Sequence, residues 1–124
     1  MNILVVDSDP IQTQSLARGL KGMGHSAVTA TNKVESFSVI DDPDGHIHLI
    51  LTDFNVPQLD VFELIKKARA TNEFFPVIIM TTYVDSELTK KTEGESFIAL
   101  IEKPFVLEQL IQKIDRFDLS HDVI

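Results

Sequence analysis

Residues 49–53 read Leu49-Ile50-Leu51-Thr52-Asp53: three consecutive large apolar side chains closed by a hydroxyl and a carboxylate. A strand that exposes one face alternates apolar and polar residues. A run without alternation is the pattern of a strand covered on both faces, as in a parallel sheet. The same order of residue types recurs on either side. Ile3-Leu4-Val5-Val6 runs into Asp7-Ser8-Asp9, Val77-Ile78-Ile79-Met80 into Thr81-Thr82, and the run 98–101 is followed by Lys103-Pro104. Residues 25–30 are shorter and more polar, as expected of an edge strand.

Helical patterns fill the intervals. Asp9-Pro10 offers an N-cap and a proline at the first helical position, with Leu16, Leu20 and Met23 following at helical spacing. Asn32 and Glu35 are spaced as a capping box. Asp60 with Glu63 opens a third helix whose Leu64, Ile65 and Ala68 face inward, and Leu107, Leu110, Ile111, Ile114 and Phe117 form the stripe of the last. Residues 86–95 form the expected fourth helix, although Leu88 is its only large apolar residue, so little burial holds it and its local unfolding free energy is low. Strands alternating with helices of this length predict an α/β domain with a parallel sheet and right-handed crossovers that place helices on both faces.

At 124 residues, 44% hydrophobic and 24% charged, the chain has the composition of one ordinary globular domain. No cysteine is present, which excludes a disulfide framework, a thiolate zinc site and a cysteine nucleophile. A net charge of −8 makes the surface a poor match for nucleic acid or anionic lipid. No apolar run approaches a membrane span and no basic leader precedes Ile3, so a soluble cytoplasmic protein is expected. The domain is expected to occupy residues 1–118, with 119–124 a tail or the start of a linker, and 118–124 frayed.

In an open parallel sheet all strands point one way, so Asp7, Ser8, Asp9, Asp53, Thr81, Thr82 and Lys103 should emerge together at its carboxyl edge, where such sheets bind ligands. Asp7 and Asp53 crowded together would repel, which asks for a cation. Oxygen donors without soft ligands suit Mg²⁺ or Mn²⁺. A carboxylate beside such a metal and a lysine can attack phosphorus and become an aspartyl phosphate. The metal and the lysine would neutralise the transferring oxygens, and a hydroxyl would donate to one.

These residues carry a resemblance. Ile3-Leu4-Val5-Val6-Asp7, then Leu49-Ile50-Leu51-Thr52-Asp53 with Pro57 and Asp60, then Pro76-Val77-Ile78-Ile79-Met80-Thr81, and finally Lys103-Pro104-Phe105 resemble, in order and spacing, the receiver domain of two-component response regulators. The resemblance covers essentially the whole chain. It implies a flavodoxin-like, doubly wound (βα)5 fold with a five-stranded parallel sheet in the order 2-1-3-4-5. It also implies that Asp53 accepts a phosphoryl group from a histidine kinase or phosphotransfer protein. Asp7, Asp53 and the Asn55 backbone carbonyl would hold Mg²⁺ or Mn²⁺, with Ser8 or Asp9 as a further ligand. Thr81 and Lys103 would act on the phosphoryl group, and Asn55 and Tyr83 would tune its lifetime. The face made by the fourth helix, fifth strand and fifth helix would carry contacts to a downstream protein, an output domain or a second copy in a homodimer.

Departures from the family pattern cluster around the site. Ser8 stands where a second acidic ligand is usual, so the metal should bind weakly. Thr82 replaces a small residue, Val61 a glycine, and Ser96-Phe97 a Gly-Ala pair. Leu100 replaces the aromatic switch residue, so coupling from Thr81 to the outer face must differ or be weak. Asp9 is expected chiefly as the N-cap before Pro10.

Other residues read as structural. The His46 and His48 pair would place two imidazoles on one side of a strand, with a solvated loop end as the simpler role. His25 and His121 are expected at the surface, and Lys66-Lys67 and Lys90-Lys91 on solvated helix faces. Three other functions compete with a phosphorylation-controlled switch that catalyses only its own phosphoryl transfer. One is a degenerate receiver acting as a phosphorylation-independent interaction module, favoured by Ser8 and Leu100. Another is a haloacid-dehalogenase-like phosphatase using Asp7 of Asp7-Ser8-Asp9, which leaves Asp53 unexplained. The last is a flavodoxin, whose bound phosphate Asp7 and Asp9 would repel.

Overall fold

β1 (Asn2–Val6), β2 (Ser26–Ala30), β3 (Leu49–Asp53), β4 (Val77–Thr81) and β5 (Ile98–Glu102) alternate with α1 (Pro10–Gly22), α2 (Lys33–Asp41), α3 (Val61–Arg69), α4 (Ser86–Thr92) and α5 (Leu107–Asp115). The structure, a computed structural model, describes residues 1–118. The strands form one parallel sheet in the order β2-β1-β3-β4-β5, the flavodoxin-like arrangement expected from the sequence.

Because side chains alternate across a strand, each apolar run feeds two cores. Leu4, Val6, Ile50, Val77 and Ile79 pack with Val61, Leu64, Ile65 and Ala68 of α3 on one face. Ile3, Val5, Leu49, Leu51, Ile78 and Met80 pack with Leu16 and Leu20 of α1 and with Leu110 and Ile114 of α5 on the other. Every residue of β4 is buried. β5 is an edge strand with one neighbour, and Ile98, Ala99 and Leu100 are only half-buried, so its apolar run did not mean burial on both faces. No helix among the described residues is long and apolar enough to cross a membrane.

The caps hold three helix starts in place. Asp9 Oδ1 accepts from Ile11 N–H at 2.9 Å, with Pro10 opening the helix, and Asp60 Oδ1 accepts from Phe62 N–H at 2.9 Å. Asn32 Oδ1 accepts from Glu35 N–H at 2.8 Å, but the returning arm of the capping box is displaced. Glu35 Oε1 accepts instead from the Thr31 N–H and the Thr31 hydroxyl, one residue earlier. Those two bonds, the backbone one foremost, hold the Glu35 carboxyl below the usual glutamate range. α4 is seven residues long, capped by Asp85, and buries only Leu88 and Thr92.

Several surface expectations are corrected. His25 is buried, with Nδ1 3.0 Å from the Met1 amino group, because the turn after α1 folds it against the chain start. Asp118 is buried rather than frayed; the rest of the expected tail, including His121, lies outside the described residues. His46 and His48, by contrast, take the simpler role expected of them, an exposed loop end before β3, where His48 Nδ1 accepts the Asn2 N–H at 2.8 Å. Of the paired lysines, Lys66, Lys90 and Lys91 are exposed as expected, with the Lys91 ammonium 5.1 Å from the Phe62 ring. Lys67 instead is half-buried, meets Asp41 at 2.9 Å and lies 5.0 Å from the Phe37 ring. Phe97 stacks between Phe74 and Phe117, and Val61 is packed in the core at the first position of α3.

Candidate functional site at the carboxyl edge of the sheet

β1 and β3 are adjacent, and the chain leaves them toward opposite faces, so the crevice between their carboxyl ends is the switch point of the sheet. Asp7 follows β1 and Asp53 ends β3, one on each side of that crevice. Lys103 arrives from β5, two strands from β3, and its N–H donates to the Thr81 carbonyl at 2.7 Å. The Lys103 side chain then crosses β4 to reach both carboxylates: Nζ is 2.9 Å from Asp53 Oδ1 and 3.2 Å from Asp7 Oδ2. The other Asp7 oxygen accepts the Asp9 N–H at 3.0 Å.

Burial works against the Lys103 ammonium, but hydrogen bonds and charge from Asp53, and then from Asp7, outweigh it and raise its pKa above the ordinary lysine value. The lysine is therefore charged at neutral pH. It sits where an anion approaching Asp53 would need a counter-charge.

The Thr81 side chain, at the end of β4, is buried but turned toward its own chain: the hydroxyl donates to the Tyr83 carbonyl at 3.0 Å and accepts the Tyr83 N–H at 3.2 Å. Sequence reasoning missed this pairing. The only signal for it was a threonine followed by an open turn, since such hydroxyls commonly bond the backbone two residues on. Ser8, Asp9, Asn55, Thr82 and Tyr83 are exposed, and the Asp9 carboxylate is occupied in capping α1. Leu100 lies on β5, half-buried against the core shared with α3, away from Asp7, Asp53 and Lys103.

An open groove of about 820 Å³ between α1 and the start of α5 is lined by Asp7, Gln12, Leu16, Thr82, Lys103 and Leu107 among others, and Asp53 lies outside its lining. Gly19 keeps its floor close: a Cβ there would meet Leu107 Cδ1 at 3.3 Å. The Asp7 and Asp53 carboxylates, brought together on Lys103, are oxygen donors of the kind a hard divalent cation takes. The set is lean in charge: among the described residues no group of three His, Cys, Asp or Glu side chains is arranged to hold a metal ion.

Fold and edge together define a flavodoxin-like domain with an acidic crevice closed by one lysine. The sequence matches the response regulator receiver domain family over residues 3–115, and the chain belongs to that family. It is 31% identical over 118 residues to the response regulator MprA of Mycobacterium avium, covering 92% of this chain and 49% of that protein. It is 30% identical over 114 residues to the sensor histidine kinase RcsC of Escherichia coli, covering 92% of this chain and 12% of the kinase. The chain thus spans about half the length of one relative and a small part of the other.

Among solved structures, a CheY-like receiver domain protein from Methanospirillum hungatei has a TM-score of 0.83 at 25% identity, covering 98% of this chain and 96% of that one. A two-component response regulator from Clostridium difficile shares the fold with a TM-score of 0.84 at 24% identity, covering 99% of each chain. Family membership sets aside the phosphatase and flavodoxin readings of Asp7-Ser8-Asp9.

Proposed function

We propose that this receiver domain accepts a phosphoryl group on Asp53 from a phosphohistidine of a histidine kinase or phosphotransfer protein, and that the new charge switches a protein contact. The observation that carries this reading is the position of Lys103 Nζ, 2.9 Å from Asp53 Oδ1 and also bonded to Asp7. An Asp53 oxygen attacks phosphorus and forms a P–O bond while the P–N bond breaks. The electron pair leaves on the imidazole nitrogen, which then takes a proton. Water later hydrolyses the acyl phosphate, returning the carboxylate and inorganic phosphate. The domain is a signalling switch that catalyses only its own phosphorylation and dephosphorylation.

Lys103 pairs with the phosphoryl oxygens as they gather charge, and the Thr81 hydroxyl donates to one of them. Asp7, Asp53 and the Asn55 carbonyl would hold Mg²⁺ or Mn²⁺, with Ser8 or Asp9 completing the set. That cation would neutralise the transferring group. Asn55 and Tyr83, both exposed, would tune how readily water reaches the acyl phosphate. A cytoplasmic location agrees with a phosphohistidine donor.

One observation favours a second reading, a phosphorylation-independent interaction module: Ser8 leaves the crevice with two carboxylates, and Leu100 supplies no ring. Intact mass after incubation with acetyl phosphate and Mg²⁺ decides between them. A single phosphoryl adduct, absent from Asp53→Asn, is expected. An unmodified mass with both Mg²⁺ and Mn²⁺ on a folded protein would establish the interaction module instead.

A further inference from the structure

We infer that Tyr83 takes the part that Leu100 cannot play: phosphorylation releases its backbone from Thr81 and moves its ring out of water onto the open surface beside Leu100. This rests on the reading of Asp53 as phosphoryl acceptor. The Thr81 hydroxyl is bonded in both senses to Tyr83, donating to its carbonyl at 3.0 Å and accepting from its N–H at 3.2 Å. It cannot donate to a phosphoryl oxygen and to the Tyr83 carbonyl at once, because a hydroxyl has one hydrogen. A hydrogen bond to an anionic oxygen is roughly twice as strong as one to a neutral carbonyl, so a phosphoryl group on Asp53 would win the hydroxyl. The turn at residues 82–85 then loses the bond that fixes its first step.

Two observations give the ring somewhere to go. Tyr83 is 72% exposed, an unusually wet position for an aromatic side chain, so its apolar body gains by burial. Next to it in sequence, Val84 lines an open cavity of about 610 Å³ with Leu100, Ile101 and Pro104, and the charged Glu102, Lys103 and Lys113 also border it. The ring would lay its apolar body on the first group and keep its polar tip toward the second. Leu100 has no ring to fill that space. α4, which begins at Ser86, is short and holds on by Leu88, so the turn before it can shift at low cost. The phosphoryl group thus biases two arrangements of one turn by contacts it makes in only one of them.

The sequence contains one tyrosine and no tryptophan, so tyrosine emission reports Tyr83 alone. The experiment loads the whole chain with acetyl phosphate and Mg²⁺, follows occupancy by intact mass, and measures acrylamide quenching in the same samples. Acrylamide is neutral, so the added charge does not steer it. Covering about half of the exposed ring, whose polar tip stays wet, lowers the quenching constant about two-fold in the phosphorylated fraction. Asp53→Asn shows no change. Thr81→Ala, without a hydroxyl to transfer, keeps its quenching constant whatever its occupancy, and Thr81→Ser restores the fall. An adduct on Asp53 that leaves quenching unchanged overturns the inference while the acceptor reading stands, as does a fall that persists in Thr81→Ala. No adduct at all overturns both.

Discussion

Lys103 Nζ lies 2.9 Å from Asp53 Oδ1, joining the edge strand β5 to β3 across the intervening β4. Asp7, buried and 3.2 Å away, shares the same ammonium group. One ammonium therefore offsets only part of the charge of two carboxylates that it holds together, and the site keeps a net negative charge. Removing the ammonium should cost stability as well as chemistry. Breaking a fully buried ion pair from one side costs about 3–5 kcal/mol, and the partial exposure of this one reduces the expected loss for Lys103→Met to about 1–3 kcal/mol. Urea unfolding with and without Mg²⁺ checks it: the deficit should shrink when a divalent cation replaces the lost charge.

On the proposed function, Ser8 would set the metal requirement. A neutral hydroxyl contributes less to a hard cation than a carboxylate, and oxygen sites tune affinity through ligand charge. Ser8→Asp should therefore lower the Mg²⁺ concentration needed for half-maximal phosphorylation about ten-fold. Titration of adduct formation against Mg²⁺ measures the shift. An unchanged requirement would mean that residue 8 does not face the cation.

Asp9 is a cap by geometry, its carboxylate accepting the Ile11 N–H at 2.9 Å. Asp9→Ala should cost about 1 kcal/mol of unfolding free energy, and Asp9→Ser, which also caps, only a few tenths. The Mg²⁺ requirement of both should match the parent. A higher Mg²⁺ requirement in Asp9→Ser would instead reveal a ligand.

Glu35 gives a pH signature in acid. Its carboxyl is held below the ordinary value of 4.5 by the two bonds from Thr31, so the folded state binds its proton less readily than the unfolded state. Its contribution is complete above 4.5 and is lost as pH falls through the lower folded value. The stability difference between the parent and Glu35→Gln should be constant near neutrality and close in acid, as read by denaturant unfolding across that range.

α4 should open locally. Leu88 is its one large buried apolar side chain, so Leu88→Ala removes nearly all that holds the helix. Its amides should exchange with solvent markedly faster in the variant. Those of β1 and β3, whose side chains are almost wholly buried in the two cores, should change far less. Uniform acceleration across the chain would show that α4 unfolds only with the whole domain.

The architecture was legible because its signals are local: apolar runs closed by polar residues, and Asp, Asn and Pro at helix starts. The convergence of Asp7, Asp53 and Lys103 was legible for the same reason, since parallel strands that each end in a polar residue must deliver it to one edge. What stayed hidden depends on tertiary neighbours. The burial of His25 comes from the chain start folding beside it. The half-buried state of β5 comes from its place at the sheet edge, which its apolar run does not record. Lys67 became a partner for Asp41 and Phe37 only because α2 and α3 lie side by side. The bond between Thr81 and Tyr83 lies in a turn whose conformation propensity does not fix.

The most direct measurement traps the phosphoryl group where it sits. Borohydride reduces an aspartyl phosphate to homoserine, so treating the acetyl-phosphate-loaded chain and mapping its peptides by mass assigns the acceptor to one residue. Homoserine at position 53, and nowhere in residues 7–9, is the predicted result. Homoserine at position 7, or none on a chain that carries an adduct, would contradict the assignment of Asp53 as the acceptor.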